Sequence, residues 1–229
     1  MNPLLWCEAY RAVGRWEAFL DTRTLKALQT EEIAATLHLS ERPGTRAKMR
    51  EALHVVETLP PLSIPFLCTL HRLVKVDGPR QDAGHIRTRQ NWIGPEGRPQ
   101  EEAYFFPPKP SDVKPALHVL LKYLRQEGDP LLQLAIGMAQ FLIIHPFMDG
   151  NGRVARLLIP YYLMRRNLPP LYLSAYFKST RLQYLKKLYD ISAEGNMDGW
   201  IAYFLKGIRW TADAATKKSA SQKRKARKI

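Results

Sequence analysis

Apolar positions recur at helical spacing along most of this chain. The stripe is clearest from Ile64 to Val74, where Leu67, Leu70 and Leu73 fall on one face. Comparable patterns, bounded by capping and breaking residues, predict further helices. Their predicted bounds are 1–30, 30–41 with Thr30 as cap, 46–59, 111–127 with Ser111 and Asp112 as caps, 130–144, 152–166, 180–193, and from the cap Asp198 onward.

Two uncharged segments, 131–144 and 157–164, stand out because each is apolar almost throughout. Asp129 and Pro130 form a typical helix start before the first segment, with proline at the first helical position. The stretch between the two segments, His145 to Arg156, reads H-P-F-M-D-G-N-G-R-V-A-R. The pattern predicts two buried helices that meet at a polar elbow.

The elbow carries residue types that bind phosphate. Glycines in the run Gly150–Asn151–Gly152 let backbone N–H groups approach an anion, and a helix that begins at Gly152 adds its positive end. Arg153 and Arg156 are three residues apart, so we expect both on one face of that helix. Taken singly, these features are more typical of a solvated turn. Their occurrence together between two apolar helices favours a phosphate site.

Two further side chains of the elbow offer chemistry. Asp149 supplies hard carboxylate oxygens, which suit a magnesium ion that bridges phosphates. His145 is the one side chain of the elbow whose ordinary pKa makes it a base near neutral pH, although a histidine at a helix end is more often a cap. We therefore expect a base, a metal ligand and a phosphate cradle within one loop.

Residues 78–110 have a different texture, rich in Pro, Gly, Arg and aromatic residues and without a helical period. The order of Ile86–Ile93, the tip Gly94–Gly97 and Tyr104–Phe106 is typical of a short β-hairpin, whereas composition alone favours a plain surface loop. Elsewhere, three histidines in or near apolar stripes are assigned to ordinary packing. They are His54, His71 and His118.

The net charge of +14 raises the alternative of a basic, non-enzymatic, nucleic-acid-binding helical protein. About half of this excess falls between Lys217 and Lys228, a stretch with seven basic and no acidic residues. We expect a disordered basic tail over 213–229, whose contact with nucleic acid would be a side effect. The nucleic-acid alternative would need basic residues gathered on one face of the remaining chain.

Cysteine usage and hydropathy favour a cytoplasmic location and no membrane contact. Cys7 and Cys68 have no spacing typical of a disulfide framework or a zinc site. The N-terminus lacks the pattern of a signal peptide. The uncharged stretch 130–148 has a helical part that ends near residue 144, too short to cross a bilayer core of about 30 Å.

The elbow H-P-F-M-D-G-N-G-R-V-A-R resembles the signature of the Fic (Fic/Doc) family, with every signature position filled. The resemblance implies an all-α enzyme with a Fic-type helical bundle and a small β-hairpin flap over the active site. It implies transfer of AMP from ATP, with Mg²⁺, to a Ser, Thr or Tyr hydroxyl of a target protein. His145 would be the catalytic base and Asp149 the metal ligand. The phosphates would be held by Gly150, Asn151, Gly152, Arg153 and Arg156.

The same resemblance assigns two outer parts of the site. The stretch G-H-I-R-T-R-Q-N-W-I-G is similar to the family's flap, so Asn91, Trp92, Ile93 and Gly94 would dock the target, and Arg87 would be a structural arginine. Relatives place two aromatic residues by the adenine. Here Tyr184 is followed by Leu185, so only one aromatic residue remains. For Leu185, a place in the adenine pocket and a role in core packing are equally good interpretations.

Many members of this family carry an inhibitory helix with a Ser or Thr and, four residues on, a Glu that pairs with the second signature arginine. The nearest match lies around 30–41, with Thr36 and with Ser40 at the glutamate position. A neutral Ser40 cannot form that ion pair, which leaves open whether autoinhibition operates. Glu41 is one residue out of register, which rotates a helical side chain by about 100°.

We expect three regions: an N-terminal helical region 1–61, a Fic catalytic core 62–212 and the tail. The resemblance also admits self-modification and a homodimer. Two alternatives keep the fold but change the function: transfer of another phosphate-bearing group (UMP, phosphocholine or phosphoryl), or a catalytically silent adaptor. Relatives that transfer a phosphoryl group carry lysine where this chain has Gly152, and the intact signature argues against an adaptor.

Overall fold

The computed structural model describes residues 3–39, 46–75, 82–94 and 99–226. Within these ranges the chain folds into α-helices, and the long connection between α4 and α5 contains a three-residue 3₁₀ turn at Gln100–Glu102. The helices are α1 Pro3–Phe19, α2 Thr22–Leu39, α3 Arg46–Glu57, α4 Ile64–Val74, α5 Pro110–Arg125, α6 Pro130–Ile144, α7 Asn151–Arg165, α8 Ser174–Ser179, α9 Arg181–Glu194 and α10 Met197–Ala226.

Helix α6 is the centre of the bundle because it is uncharged and buried on nearly every face. Its start is as predicted, since the Asp129 carboxylate accepts a hydrogen bond from Leu132 N at 2.9 Å, with Pro130 in the first turn. It packs against α5, α7 and α10. None of the described helices is both long and apolar enough to cross a bilayer.

The predicted disorder of the tail is wrong for its described residues, because helix α10 continues without a break to Ala226. Residues 227–229 lie outside the described chain. The small residues Ala215 and Ser219 are buried, and the Ser219 hydroxyl is 2.7 Å from Phe19 O and 2.6 Å from Asp21 Oδ2. Small side chains on one face let α10 lie close to the end of α1, where Lys223 Nζ also lies 5.2 Å from the centre of the Phe19 ring. A basic segment can therefore form an ordered helix when the side chains on one of its faces are small enough to pack against a neighbouring helix.

The N-terminal region contains the two predicted helices, but the break between them lies at residues 20–21 and not at Thr30. Asp21 lies in the break between α1 and α2, where its carboxylate accepts from Thr24 N at 2.8 Å and so caps α2. Thr30 is not a cap, since it lies inside α2 and its hydroxyl donates to Lys26 O. Because α2 packs against α3, α8 and α10, this region is continuous with the rest of the bundle, and the proposed boundary at residue 61 stays a prediction.

The predicted hairpin is reduced, in the described residues, to one antiparallel bridge. Ile93 N donates to Phe105 O at 2.9 Å, and Phe105 N donates back to Ile93 O at 3.1 Å. Residues 95–98 of the predicted tip lie outside the described chain. Pro99, Pro107 and Pro108 follow, and they lack the backbone N–H that a longer ladder requires.

Four predicted helix starts differ from the observed starts by one or two residues. Helix α5 begins at Pro110, and the Ser111 hydroxyl bonds to Asp112 instead of capping. Helix α7 begins one residue before Gly152. The helix predicted to begin at Thr180 is preceded by the short α8, and α10 begins one residue before Asp198.

Candidate active site

The loop 145–150 joins α6 to α7 and forms the predicted elbow. His145 ends α6 with left-handed backbone angles, φ 48° and ψ 61°, and its N–H bonds to Phe141 O at 3.0 Å. Gly150, with φ 81°, precedes the first residue of α7. These two left-handed residues turn the chain between the helices. The loop therefore lies at the positive end of α7, as a phosphate site requires.

The Asn151 side chain is buried and hydrogen-bonds the backbone of this loop. Its Nδ2 donates to Phe147 O at 2.8 Å, and its Oδ1 accepts from Phe147 N at 2.9 Å. Asn91 also donates to Phe147 O, at 3.1 Å. Both asparagines thus bind the loop backbone through their side chains. Any phosphate contact from Asn151 would come from its backbone N–H at the start of α7.

The His145 ring has a defined tautomer. Its Nδ1 lies 3.1 Å from Leu142 O, and since a carbonyl only accepts, Nδ1 carries the proton and Nε2 keeps its lone pair. Burial lowers the pKa of His145 to about 4, against the opposing effects of Leu142 O and Asp149. The imidazole is therefore neutral at physiological pH, with Nε2 able to accept a proton.

Asp149 has one carboxylate oxygen, Oδ2, that is buried without a hydrogen-bond partner in the described chain. A buried carboxylate oxygen without a donor is costly unless a cation or ligand meets it. The described residues contain no cluster of three or more His, Cys, Asp or Glu side chains suited to a metal. The site therefore fits Mg²⁺ carried by a nucleotide, since that ion keeps most of its ligands as phosphate oxygens and waters.

The two signature arginines are both buried, and the structure ties each of them to a different helix. Arg153 Nη1 donates to Val74 O at 2.6 Å, at the end of α4. Arg156 Nε donates to Thr36 Oγ1 at 3.0 Å, and its Nη2 donates to Thr36 O at 3.3 Å, on α2. Both arginines nevertheless line one cavity, which is consistent with the predicted shared face of α7.

That cavity has a volume of about 1090 Å³ and collects nearly all of the predicted site residues. Of the predicted flap and adenine residues, Asn91 does not line it, and Leu185 is half-exposed at its edge. The lining also includes residues that the sequence did not indicate, among them Leu142, Ile143, Met148 and Tyr189. The predicted residues in the lining are Trp92, Ile93, Gly94, His145, Asp149, Gly150, Asn151, Gly152, Arg153, Arg156, Tyr184 and Leu185.

Residues 61–163, which include α4 to α6 and nearly all of α7, match the model of the Fic/DOC family. These residues form a Fic/DOC domain. The chain is 32% identical over 149 residues to protein adenylyltransferase fic-1 of Caenorhabditis elegans, a match that covers 63% of this chain and 27% of that protein. The chain thus spans about a quarter of the length of this curated relative.

Solved structures share the all-α Fic fold. A Fic family protein from Desulfovibrio desulfuricans G20 superposes with a TM-score of 0.79 at 19% identity, over 95% of this chain and 75% of the other. Fic-1 (residues 134–508) from C. elegans superposes with a TM-score of 0.72 at 19% identity, over 98% of this chain and 74% of the other. The predicted fold class is therefore confirmed for this Fic/DOC domain.

The predicted inhibitory position of the Fic/DOC domain is only partly described. Thr36 contacts Arg156, whereas Ser40 and Glu41 lie outside the described residues. Sequence reasoning missed Glu32, one turn before Thr36, which is buried beside Ser174. The Glu32 carboxylate accepts from Ser174 N at 3.0 Å and from the hydroxyls of Ser174, at 2.5 Å, and Thr36, at 3.1 Å. The spacing of four residues between Glu32 and Thr36, which places both on one face of a helix, was the sequence signal that could have indicated this contact.

The packing role assigned to three histidines is wrong for two of them. His54 and His118 are exposed. His71, on α4, is fully buried, and it hydrogen-bonds the backbone of the signature loop of the Fic/DOC domain. An apolar stripe alone could not distinguish these cases, because it gives the face of a helix and not the polar partners across it.

Proposed function

We propose that this Fic/DOC domain is a protein adenylyltransferase, which transfers AMP from ATP to a Ser, Thr or Tyr hydroxyl of a target protein. One observation carries the proposal: His145 keeps an unprotonated Nε2 in the same cavity as Asp149 and the phosphate loop. The name of the C. elegans relative, protein adenylyltransferase fic-1, supports it.

The cavity suits a nucleoside triphosphate in size and charge. Its volume of about 1090 Å³ is ample for such a ligand. The residues Gly150 to Gly152 offer backbone N–H groups at the start of α7, and Arg153 and Arg156 add positive charge. Tyr184 and Leu185 of α9 also line the cavity and offer apolar surface for the purine. We therefore assign the triphosphate to the loop and the adenine to α9.

The reaction is an in-line displacement at the α-phosphorus. The target hydroxyl oxygen attacks phosphorus while its proton passes to His145 Nε2, and the bond to the pyrophosphate oxygen breaks with its electrons leaving on pyrophosphate. The loop N–H groups, Arg153 and Arg156 meet the charge that develops on the leaving group. Mg²⁺ held by the Asp149 carboxylate would neutralise phosphate charge and orient the chain of phosphates.

The target would dock beside the flap segment. Trp92 is 41% exposed and Tyr104 is 65% exposed, on the two segments joined by the Ile93–Phe105 bridge. Both of these aromatic residues line the cavity. An extended peptide that lies along this segment would bring its hydroxyl towards His145, in the manner of strand addition.

The experiment combines the chain with ATP labelled at the α-phosphate, Mg²⁺ and a cell lysate. We expect labelled proteins with the parental chain and none with His145→Ala. His118→Ala, which removes an exposed histidine far along the sequence from the elbow, is the matched control and should behave as the parent. ATP labelled at the γ-phosphate should give no label beyond that of lysate without the chain, since pyrophosphate leaves. Additional γ-label that depends on the chain would show phosphoryl transfer, and α-label that survives in His145→Ala would contradict the base assignment.

A further inference from the structure

The imidazole of His71 lies between two backbone groups that belong to different parts of the site. Its Nδ1 is 2.9 Å from the N–H nitrogen of Gly84, in the segment before the flap. Its Nε2 is 2.9 Å from the carbonyl oxygen of Asp149. The ring also stacks on Phe147, with centroids 3.9 Å apart and planes 8° from parallel. Three contacts therefore fix the position and the plane of a side chain that is fully buried.

The two hydrogen bonds define the tautomer of His71. The Gly84 N–H can only donate, so Nδ1 must keep its lone pair. The Asp149 carbonyl can only accept, so Nε2 must carry the proton. A neutral imidazole has one donor and one acceptor nitrogen and therefore satisfies both groups. An imidazolium would have no acceptor for Gly84, and the other tautomer would satisfy neither group.

The hydrogen bond to Asp149 O sets the orientation of the peptide between Asp149 and Gly150. In a planar trans peptide the C=O and the following N–H point in opposite directions. A carbonyl that points towards His71 therefore directs the Gly150 N–H away from His71. Gly150 lines the cavity and His71 does not, so this N–H is available on the cavity side. The same bond fixes the backbone that bears the Asp149 carboxylate.

Gly150 and His71 are also matched in shape. A Cβ added to Gly150 would lie 3.3 Å from His71 Cδ2, and Gly150 has φ 81°, which L side chains rarely adopt. The imidazole edge thus covers the one glycine whose backbone must turn into α7. His71 therefore contacts the loop at the carbonyl that precedes this turn and at the turn itself.

We propose that His71 is a positioning residue for the phosphate loop: its neutral imidazole orients the Asp149–Gly150 peptide, so that the Gly150 N–H and the Asp149 carboxylate are preset for a metal-bound triphosphate. This inference rests on the proposed function. His71 does not touch the substrate, and its effect passes through the loop backbone. It joins α4 and the segment at Gly84 to the nucleotide site, two elements that the signature itself does not include.

Two amide variants separate the two hydrogen bonds. In His71→Gln the side-chain NH₂ can reach the place of Nε2 and donate to Asp149 O. In His71→Asn the shorter amide reaches only the place of Nδ1, where its oxygen can accept from Gly84. Both variants lose the ring and its stack on Phe147, so they form a matched pair for the packing loss. Only the glutamine restores the bond to the loop.

The readouts are the dissociation constant of a non-hydrolysable ATP analogue with Mg²⁺, the kcat and KM of AMP transfer, and urea unfolding. We expect His71→Asn to weaken analogue binding or lower kcat/KM by at least about tenfold relative to His71→Gln, at similar stability. Equal losses in both variants that follow stability would overturn the proposal and leave His71 a packing residue. Parental binding and kinetics in His71→Asn would overturn it as well.

A measurement on the parental chain keeps the test independent of how the variants fold. Nitrogen NMR of the imidazole should show Nε2 protonated and Nδ1 unprotonated at neutral pH, and the reverse tautomer contradicts the proposal. If the parental chain binds the analogue but transfers no AMP, the proposed function fails. Analogue binding by the two variants still decides the role of His71 in that case.

Discussion

The guanidinium of Arg87 donates from Nε to the backbone carbonyl of His145 at 2.9 Å. The same side chain reaches Pro108 O at 2.5 Å and Ile144 O at 3.4 Å, and the Arg87 N–H donates to Pro146 O at 2.9 Å. Arg87 is therefore a buried cation at the negative end of α6. It joins the flap segment to the residue that carries the candidate base.

Replacing Arg87 should lower the stability of the fold. Arg87→Ala leaves several buried carbonyls without donors, and we expect the free energy of unfolding to fall by about 3 kcal/mol. Arg87→Lys retains the charge but cannot form the fork, so an intermediate loss is expected. The measurement is urea unfolding. Arg89→Ala is the control, because its side chain is 65% exposed and its loss should change stability by less than about 0.5 kcal/mol. Similar losses at both positions would contradict the structural role of Arg87.

The pKa of His145 gives a prediction that needs no substrate. Burial lowers this pKa to about 4, so the imidazole should stay neutral as the pH falls from 7 to 5. The unfolded histidine takes up a proton near pH 6.5, so the unfolded state binds more protons between about pH 6.5 and 4, and this residue makes folding less favourable as pH falls through that window. NMR titration, with His145→Ala to assign the signal, measures the pKa directly. A midpoint near 6.5 is the contrary result.

Asp149→Asn should separate the binding of nucleotide from the effect of Mg²⁺. The buried Oδ2 has no donor in the described chain, and an amide in its place is a much poorer ligand for a hard cation. We expect Mg²⁺ to strengthen nucleotide binding to the parental chain, and this gain to fall by at least about tenfold in the variant. Calorimetric titrations of the nucleotide, one with Mg²⁺ and one with a chelator, give its dissociation constants in the presence and absence of the ion. An undiminished effect of Mg²⁺ in Asp149→Asn would remove this residue from the metal site.

Glu32 and Glu31 are adjacent but should differ in their contribution to stability. The buried Glu32 carboxylate accepts three hydrogen bonds from Ser174 and Thr36, and Thr36 in turn accepts from Arg156. Glu32→Ala leaves these donors unpaired beside a buried arginine, so we expect a loss of about 3 kcal/mol. Glu31 is exposed and pairs with Lys218, so Glu31→Ala should cost less than about 1 kcal/mol. Chemical denaturation of both variants decides, and equal losses would show that the buried network contributes little.

The core of the fold and the elbow were predictable because their signals are local. Asp129 and Pro130 begin α6, the apolar run gives its length, and the residues from His145 to Arg156 are consecutive. What the sequence did not reveal depends on distant partners. Glu32 is significant only because Ser174 lies beside it, 142 positions away. The end of α10 is ordered because it contacts α1, and the composition of the tail carries no information about that contact. The hairpin was overpredicted because the order of two segments around a glycine-rich tip takes no account of the N–H groups that the nearby prolines lack.

The amide of Asn151, which holds Phe147 at both its N–H and its carbonyl, has a kinetic consequence. Its bonds complete the turn before any substrate arrives, so a nucleotide does not have to organise the backbone that receives it. Little conformational entropy should be lost on association. The rate of nucleotide association should therefore be limited by diffusion and charge attraction. Amide hydrogen exchange in this turn should be slow even without nucleotide.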